Sequence, residues 1–432
     1  MKKILFFILI SNFCFSQWSI SNAERSALIA IYNATAGENW NRTWNLNEDP
    51  RNWFGVVVRN SVVTELNLSG NALRGNFPAN IASFSKLTKL DLSNNQLTGE
   101  VAMGVSSLSS LIKLDISNNR LTGDPTNSLS WLFNLEDLSI GGNMFSISDV
   151  NAMLQNFNNI KSLNISNLQL TSIPPRVATF ANIQTLILDN NPIVANGYTA
   201  ITNLARLKTL SLSGVGLAQI PTQVSQNLEL ASLNLSYNNL TEQTLAGLSN
   251  LINLEWLSLE GNNCTQVPPQ IGILKKLQTL NLGRNQIAGG IGTLTTLNQL
   301  QQLFLNNNQI SGAFPSALLG MQNLMMVNLN SNQLTGELPD QLPAITHLSN
   351  NRFSKNDLSN YIEDFAEQTD FNYSPQRYDS EKEVLGVIGQ SAKLDQSLSG
   401  SDYTFTWFKN LDQKTNTTTA DFNFNNVEEA DY

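Results

Sequence analysis

The feature that most constrains this chain is an asparagine that returns every 23 to 25 residues behind a fixed set of leucines. The stretch "LTKLDLSNNQLTGE", residues 87–100, is one copy, with Leu87, Leu90, Leu92 and Leu97 and with Asn95 among them. Its spacing is neither the 3.6 of a helix nor a sustained alternation of 2. Asn71, Asn95, Asn119, Asn143, Asn191, Asn238, Asn262, Asn285, Asn308 and Asn332 hold the slot, and Leu168 and Val215 hold it in two further copies, which makes twelve. A shortened copy, "HLSNNRF", follows with Asn351.

A chain of this kind winds into coils. Each "xLxLx" is a short strand whose leucines point inward and whose intervening residues point outward, and successive strands stack in parallel. The chain turns at the asparagine and leaves backbone N–H and C=O groups without strand partners. A buried amide carries both donors and an acceptor and can serve that turn. Leu168 and Val215 are therefore expected at turns of different local geometry. The pattern LxxLxLxxNxL is identified as the leucine-rich repeat. "LRGNFP", "ISGAFP" and "LTGELP" resemble the convex segment of plant-type repeats, whereas "LTSIPP", "LAQIP" and "CTQVPP" resemble the shorter bacterial variety. The resemblance implies a leucine-rich repeat solenoid over residues 63–355: an α/β horseshoe with a parallel concave sheet, and short turns, 3-10 and extended segments on the convex side. Proline in those segments disfavours long helices. Cys264 stands where other copies have Leu97, Leu121 or Ile287, so it reads as a small buried hydrophobe rather than a reactive thiol.

Solenoids expose their core at both ends unless capped. Residues 18–62 begin with Ser21 three positions before Glu24, a capping-box spacing, followed by an amphipathic run and by Trp40, Trp44 and Trp53. "ERSALIAIYNATAGENW" resembles the N-terminal cap of plant receptor ectodomains and related secreted bacterial proteins. The cap cysteines of the plant proteins are missing here, so tryptophan bulk is expected to cover the first coil. Residues 356–380 read as a C-terminal cap and linker. Residues 381–432, with a strand-like run ending at Trp407 and "EEADY" near the end, resemble part of an immunoglobulin-like sandwich, an incomplete β-sandwich without its usual disulfide. The chain accordingly reads as a fragment of a longer protein. Residues 1–17, "MKKILFFILISNFCFSQ", have a basic start and a short apolar run, the order of a secretory signal peptide. The phenylalanine before Cys14 makes a poor lipidation site, and removal of this segment leaves Cys264 as the single cysteine.

The remaining polarity narrows the function. A formal charge of −9 argues against general nucleic-acid partners, and no interior stretch has the length of a transmembrane span. One histidine, His347, cannot furnish a two-histidine metal site or a triad, and no HExxH, GxSxG, CxxC or GxxxxGK[ST] occurs. No catalytic, metal or cofactor site is therefore expected. Asp91 and Asp115 share an outward column about 4.8 Å apart, but Lys89 and Lys113 lie two residues earlier on the same face and favour neutralisation over a cation. The outward face is charged in the first copies and small and neutral in the middle. Toward the C-terminal end it carries Trp256, Glu260, Arg284, Phe304 and Met326. Aromatic and arginine residues of that kind are typical binding anchors. Trp256 and Phe304, about 10 Å apart by strand spacing, either hold one ligand or cover one another. The reading is a secreted or cell-surface recognition protein that binds an extracellular protein or peptide through the concave face. The alternatives are carbohydrate binding and a targeting module for an enzyme encoded beyond Tyr432.

Overall fold

The computed structural model describes residues 19–354 except 203, then residues 357, 358 and 361, and beyond them only the backbone of five short strands. The signal peptide expected over residues 1–17 and the "EEADY" segment lie outside the described residues. The chain divides into two compact units. One runs to Leu240 and includes Thr244–Leu257, and the other comprises Thr241–Gln243 and the residues from Ser258 on.

In the N-terminal unit the expected coils form. The strands Val62–Asn67, Lys89–Asp91, Lys113–Asp115, Asp137–Ser139, Ser162–Asn164, Thr185–Ile187, Thr209–Ser211 and Ser232–Asn234 pair in parallel and in register. Their middle leucines are at most 2 % exposed, so each stacks on the leucine of the coil before it. On the opposite side Arg74–Asn76, Gln96–Glu100 and Arg120–Thr122 form a second, three-stranded parallel sheet. The first of these strands lies in "LRGNFP", and the other plant-type segments, "ISGAFP" and "LTGELP", contribute to a parallel pair of their own in the C-terminal unit, Ser311–Gly312 with Gln333–Leu334. Short 3-10 turns such as Ala79–Ser83 and Met103–Ser107 complete the outer wall, as the prolines require.

The turn after each strand has one conformation throughout. The residue before the asparagine slot is left-handed in every copy, from Gly70 (φ 61°) and Asn94 (φ 56°) to Ser331 (φ 57°) and Asn350 (φ 56°). Glycine and asparagine tolerate that conformation best, which explains why they dominate the position. The slot amide then satisfies the turn. Asn95 is 8 % exposed. Its Nδ2 donates to the carbonyls of Leu68 (2.8 Å) and Leu92 (2.9 Å), and its Oδ1 accepts from the backbone of Asn71 (3.1 Å) and Leu73 (2.9 Å). Each asparagine thus reaches its own coil and the preceding one. Leu168 and Val215 have no such amide, and a second left-handed residue follows each of them, Gln169 (φ 58°) and Gly216 (φ 81°). The expected local difference is present, although Ala72 (φ 61°) shows it after Asn71 as well.

The cap continues this network. Asn71 Oδ1 accepts from the Arg42 backbone at 2.7 Å, so the first amide ties the repeats to the segment before them. The helix Asn22–Ala34 begins at Ser21, whose side chain accepts from Glu24 N. Only this half of the expected capping box forms as drawn. The Glu24 carboxylate turns instead to the Val63 backbone at 3.2 Å, on the first strand of the array, and its Oε2 is buried without a hydrogen bond. Trp40, Trp44 and Trp53 are 5 %, 4 % and 3 % exposed, with ring centroids 4.9 Å and 4.8 Å apart along the series. Their indole N–H groups donate to Thr35 O, Phe54 O and Asn45 O, each at 2.9 Å. The tryptophans are therefore core, with both ring and N–H in use. A hairpin closes the sheet at this end: Val56–Arg59 pairs antiparallel with Val62–Asn67 across Asn60 and Ser61, both left-handed. Gly55 permits it, because a Cβ there would lie 1.9 Å from Asn67 O.

The C-terminal unit repeats the arrangement with Thr279–Asn281, Gln302–Phe304, Met326–Asn328 and Ile345–His347. Asn285, Asn308, Asn332 and Asn351 accept from Cys264, Ile287, Ile310 and Leu334 in turn. Cys264 is fully buried in the core, and burial together with the Glu242 charge pushes its thiol up to about 12. Past the shortened copy, Leu358 and Tyr361 are 2 % and 5 % exposed, and Tyr361 donates to Pro339 O. The segment expected as cap and linker also contributes a strand, Phe371–Asn372, which pairs with Ile345–His347. Farther on, Ala392–Asp395 pairs antiparallel with Asp421–Phe424, and Phe405–Lys409 with Asp412–Thr417. Trp407 therefore lies on a strand, as its alternating neighbours suggested.

Two outcomes follow from the buried polar groups. Asn191 joins Ile165 O, Leu188 O, Leu168 N and Leu170 N. Asn191→Leu strips these and should destabilise the protein by roughly 3 kcal/mol or more, at about 1–3 kcal/mol per orphaned group; urea titration reads it, and equal midpoints contradict it. Burial raises the Glu24 carboxyl above its ordinary value. Its contribution to stability is therefore present below that ordinary value and lost as pH rises through the folded one. Glu24→Gln should melt higher than the parent at pH 7, and the gap should close at pH 4.

Candidate functional site

The outward side chains of the parallel strands make the surface that can meet a partner. In the N-terminal unit one column runs through Glu65, Lys89, Lys113 and Asp137 and continues with Ser162, Thr185, Thr209 and Ser232. The next column holds Asp91 and Asp115 as register partners. Lys89 pairs with Glu65 at 3.2 Å, and Glu65 also meets Arg59 at 3.3 Å. The two aspartates have a different task from the neutralisation expected. Asp91 Oδ1 accepts from Ser93 N (3.1 Å) and Ser93 Oγ (2.7 Å), and Asp115 Oδ1 accepts from Ser117 N (3.0 Å) and Ser117 Oγ (2.6 Å). Each caps its own turn. Asn164 and Asn234 do the same for Ser166 N (3.1 Å) and Ser236 N (3.0 Å) with an amide. Among the described residues no three His, Cys, Asp or Glu side chains gather as metal donors.

The residues singled out from the sequence separate into three places. Trp256 opens the strand Trp256–Ser258 and is half-buried, in the N-terminal unit. Phe304 and Met326 lie on adjacent strands of the C-terminal unit, both half-buried, in neighbouring columns: Phe304 aligns with Asn281 and Asn328, and Met326 with Gln302 and Ile345. Trp256 and Phe304 thus belong to different units. Arg284 is not on the strand. It occupies the left-handed turn position (φ 55°) and is exposed, because the asparagine slot follows it directly. Its guanidinium Nε meets Glu260 Oε1 at 3.1 Å, and Asn281 Nδ2 donates to the other Glu260 oxygen at 3.1 Å. Glu260 and Arg284 thus come together, but as partners of one another.

Two features escaped a reading confined to strand positions. Trp131 and Phe133 are 57 % and 48 % exposed and meet edge to face, centroids 5.9 Å apart, beyond the helix Thr126–Leu129 on the outer wall. Asp189 stands two residues past the strand Thr185–Ile187, where most copies carry Ser or Gly. Its Oδ1 accepts from Ser211 Oγ (2.6 Å) and Ser213 N (2.8 Å), and burial pushes its carboxyl up while those hydrogen bonds pull it down. The signal was present in the sequence as the one acid in an otherwise uncharged band.

Sequence profiles described as leucine-rich repeats match residues 252–310 and, as separate copies, 86–108, 110–132 and 229–251. No curated protein matches the chain by sequence. Among solved structures, a leucine-rich repeat protein of Leptospira interrogans is 25 % identical with a TM-score of 0.54, over 69 % of this chain and 75 % of that one. The leucine-rich repeat ectodomain of the Arabidopsis receptor kinase HAESA, solved with an extended IDA peptide hormone, is 26 % identical with a TM-score of 0.55. That match covers 77 % of this chain and 57 % of the receptor chain, so the protein spans little more than half of it. The fold is a leucine-rich repeat solenoid. Among the described residues no helix is long and apolar enough to cross a membrane.

The Glu260–Arg284 pair is solvent-accessible, with the arginine side chain 60 % exposed. A double-mutant cycle with Glu260→Gln and Arg284→Gln should give a coupling of about 0.2–1 kcal/mol that shrinks in salt. A larger, salt-insensitive coupling would mark it as a structural clamp.

Proposed function

We propose that this chain is a non-catalytic recognition or adhesion protein, exported from the cell, that binds a protein or peptide over the outward faces of its repeat sheets. The observation that carries the reading is the presence of half-buried Trp256, Phe304 and Met326 on outward strand positions that the middle copies give mainly to Ser, Thr and Asn. Inward leucines and slot amides already stabilise the coils, so the fold needs no aromatic there, whereas aromatic anchors in a polar surround are what binding surfaces use. The signal-like residues 1–17 support export. The HAESA ectodomain, of the same fold, was solved with a peptide hormone, and that likeness supports a peptide or protein over a glycan.

The test is selection of a random dodecapeptide phage library on the full chain, with a glycan array in parallel. Trp256→Ala and Phe304→Ala, made separately, should each weaken binding of selected peptides about tenfold or more, as truncated anchors do, with melting temperatures near the parent's. Variants that melt much lower yet bind normally would return both residues to a structural role. Glycan binding without peptide binding would replace the protein reading with the carbohydrate one.

A further inference from the structure

The outward face of the N-terminal unit is charged at its first copies and uncharged through the middle, with the exception of Asp189. The hydrogen bonds of Asp189 explain part of its presence. In most copies the turn N–H is capped from two residues back, by Asp91, Asp115, Asn164 or Asn234. The copy at Thr209–Ser211 has only the short Ser211 at that position, and the cap for Ser213 N comes from the neighbouring coil, from Asp189 Oδ1. That task needs an oxygen, not a charge: Asn164 and Asn234 accomplish it with an amide. The same Oδ1 also accepts from Ser211 Oγ, while Oδ2 has no hydrogen bond among the described residues.

The charge is therefore surplus to the fold, and it sits where burial opposes it. Asp91 and Asp115 have Lys89 and Lys113 on their own strands. The strand before Asp189 and the two beside it contain no basic residue. Lys161 precedes one of them and is held by Glu136 at 2.7 Å. Lys208 precedes the other, at the opposite end of the strand from Asp189. A fixed, partly desolvated carboxylate with one open oxygen recognises a cation. The short residues around it, Ser166, Ser211, Ser213 and Gly214, with half-buried Ile187 on the preceding strand, let an extended backbone approach.

We infer that Asp189 anchors one basic side chain, arginine or lysine, of an extended peptide lying on the outward face of the N-terminal unit. This rests on the recognition reading above and specifies the partner: a peptide with a basic residue set among small or apolar ones. Charge-assisted hydrogen bonds of this kind are the stronger sort, so the anchor should account for roughly a tenfold difference in affinity.

The probe is the dodecapeptide phage library selected on the full chain, followed by synthesis of the enriched peptides. The expected result is a shared Arg or Lys, with binding weakened about tenfold or more by Asp189→Asn at an unchanged melting temperature. Asn keeps an oxygen for Ser211 and Ser213 and removes only the charge. A reciprocal measurement needs no protein variant: replacing the peptide's basic residue by Gln should lose the same factor on the parent. Enriched peptides that bind the parent and Asp189→Asn alike, or that tolerate the Gln exchange, overturn the inference while recognition stands. Failure of any peptide to enrich on the parent defeats the recognition reading itself, and this inference with it.

Discussion

One buried side-chain amide in every coil but those of Leu168 and Val215 governs what the rest of the chain can be. The turn after each strand leaves carbonyls and N–H groups that no strand can reach, in a core lined by leucines at essentially zero exposure. Leaving them unpaired costs about 1–3 kcal/mol for each group. Asparagine meets the need because it donates twice and accepts, and the left-handed residue before it aims the amide inward. The leucines determine which side faces the core, and the amide determines how one coil joins the previous one. Neither suffices alone. Leucines at these offsets without the amide need a turn of different geometry, as at Leu168 and Val215, and the amide without the leucines would have no dry interior in which its hydrogen bonds count.

Because the inward positions carry the stability, the outward ones are released for other use. In the N-terminal unit the outward positions pass from the charged pair of Glu65 and Lys89 to a band rich in Ser, Thr and Asn, and in the C-terminal unit they include Phe304 and Met326. The cap illustrates the opposite use of aromatic residues. Trp40, Trp44 and Trp53 are buried with every indole N–H satisfied, so their rings serve to close the first coil. Trp256 has the same chemistry on an outward strand position, where it is only half-buried. Position, not residue type, separates the structural tryptophan from the candidate anchor.

Much of the architecture was legible because the repeat is nearly all local pattern. The parallel strands and the burial of Cys264, Trp40, Trp44 and Trp53 followed from periodicity and from which residues could cover an open end. The parts that were not legible depend on turn geometry and on contacts between coils. Arg284 looks outward in a strand register, but counting back from Asn285 places it in the left-handed turn, beside Glu260. Glu24 has the spacing of a capping box, yet its carboxylate goes to Val63, a partner 39 residues away that no local rule supplies. Asp189 was overlooked because it follows the strand, and its role appears only when the missing cap at Ser211 is seen next to it.

The reach of each slot asparagine, to its own coil and the one before, has a consequence for how such a chain changes over generations. No coil depends on a side chain more than one neighbour away through this link, and nearest-neighbour construction of that sort tolerates gain or loss of whole units. A duplication of 23 to 25 residues brings its own leucines, its own turn and its own amide, and adds one strand of about 4.8 Å to the outward face. The chain can thus lengthen or shorten its contact surface in fixed steps without redesigning its interior.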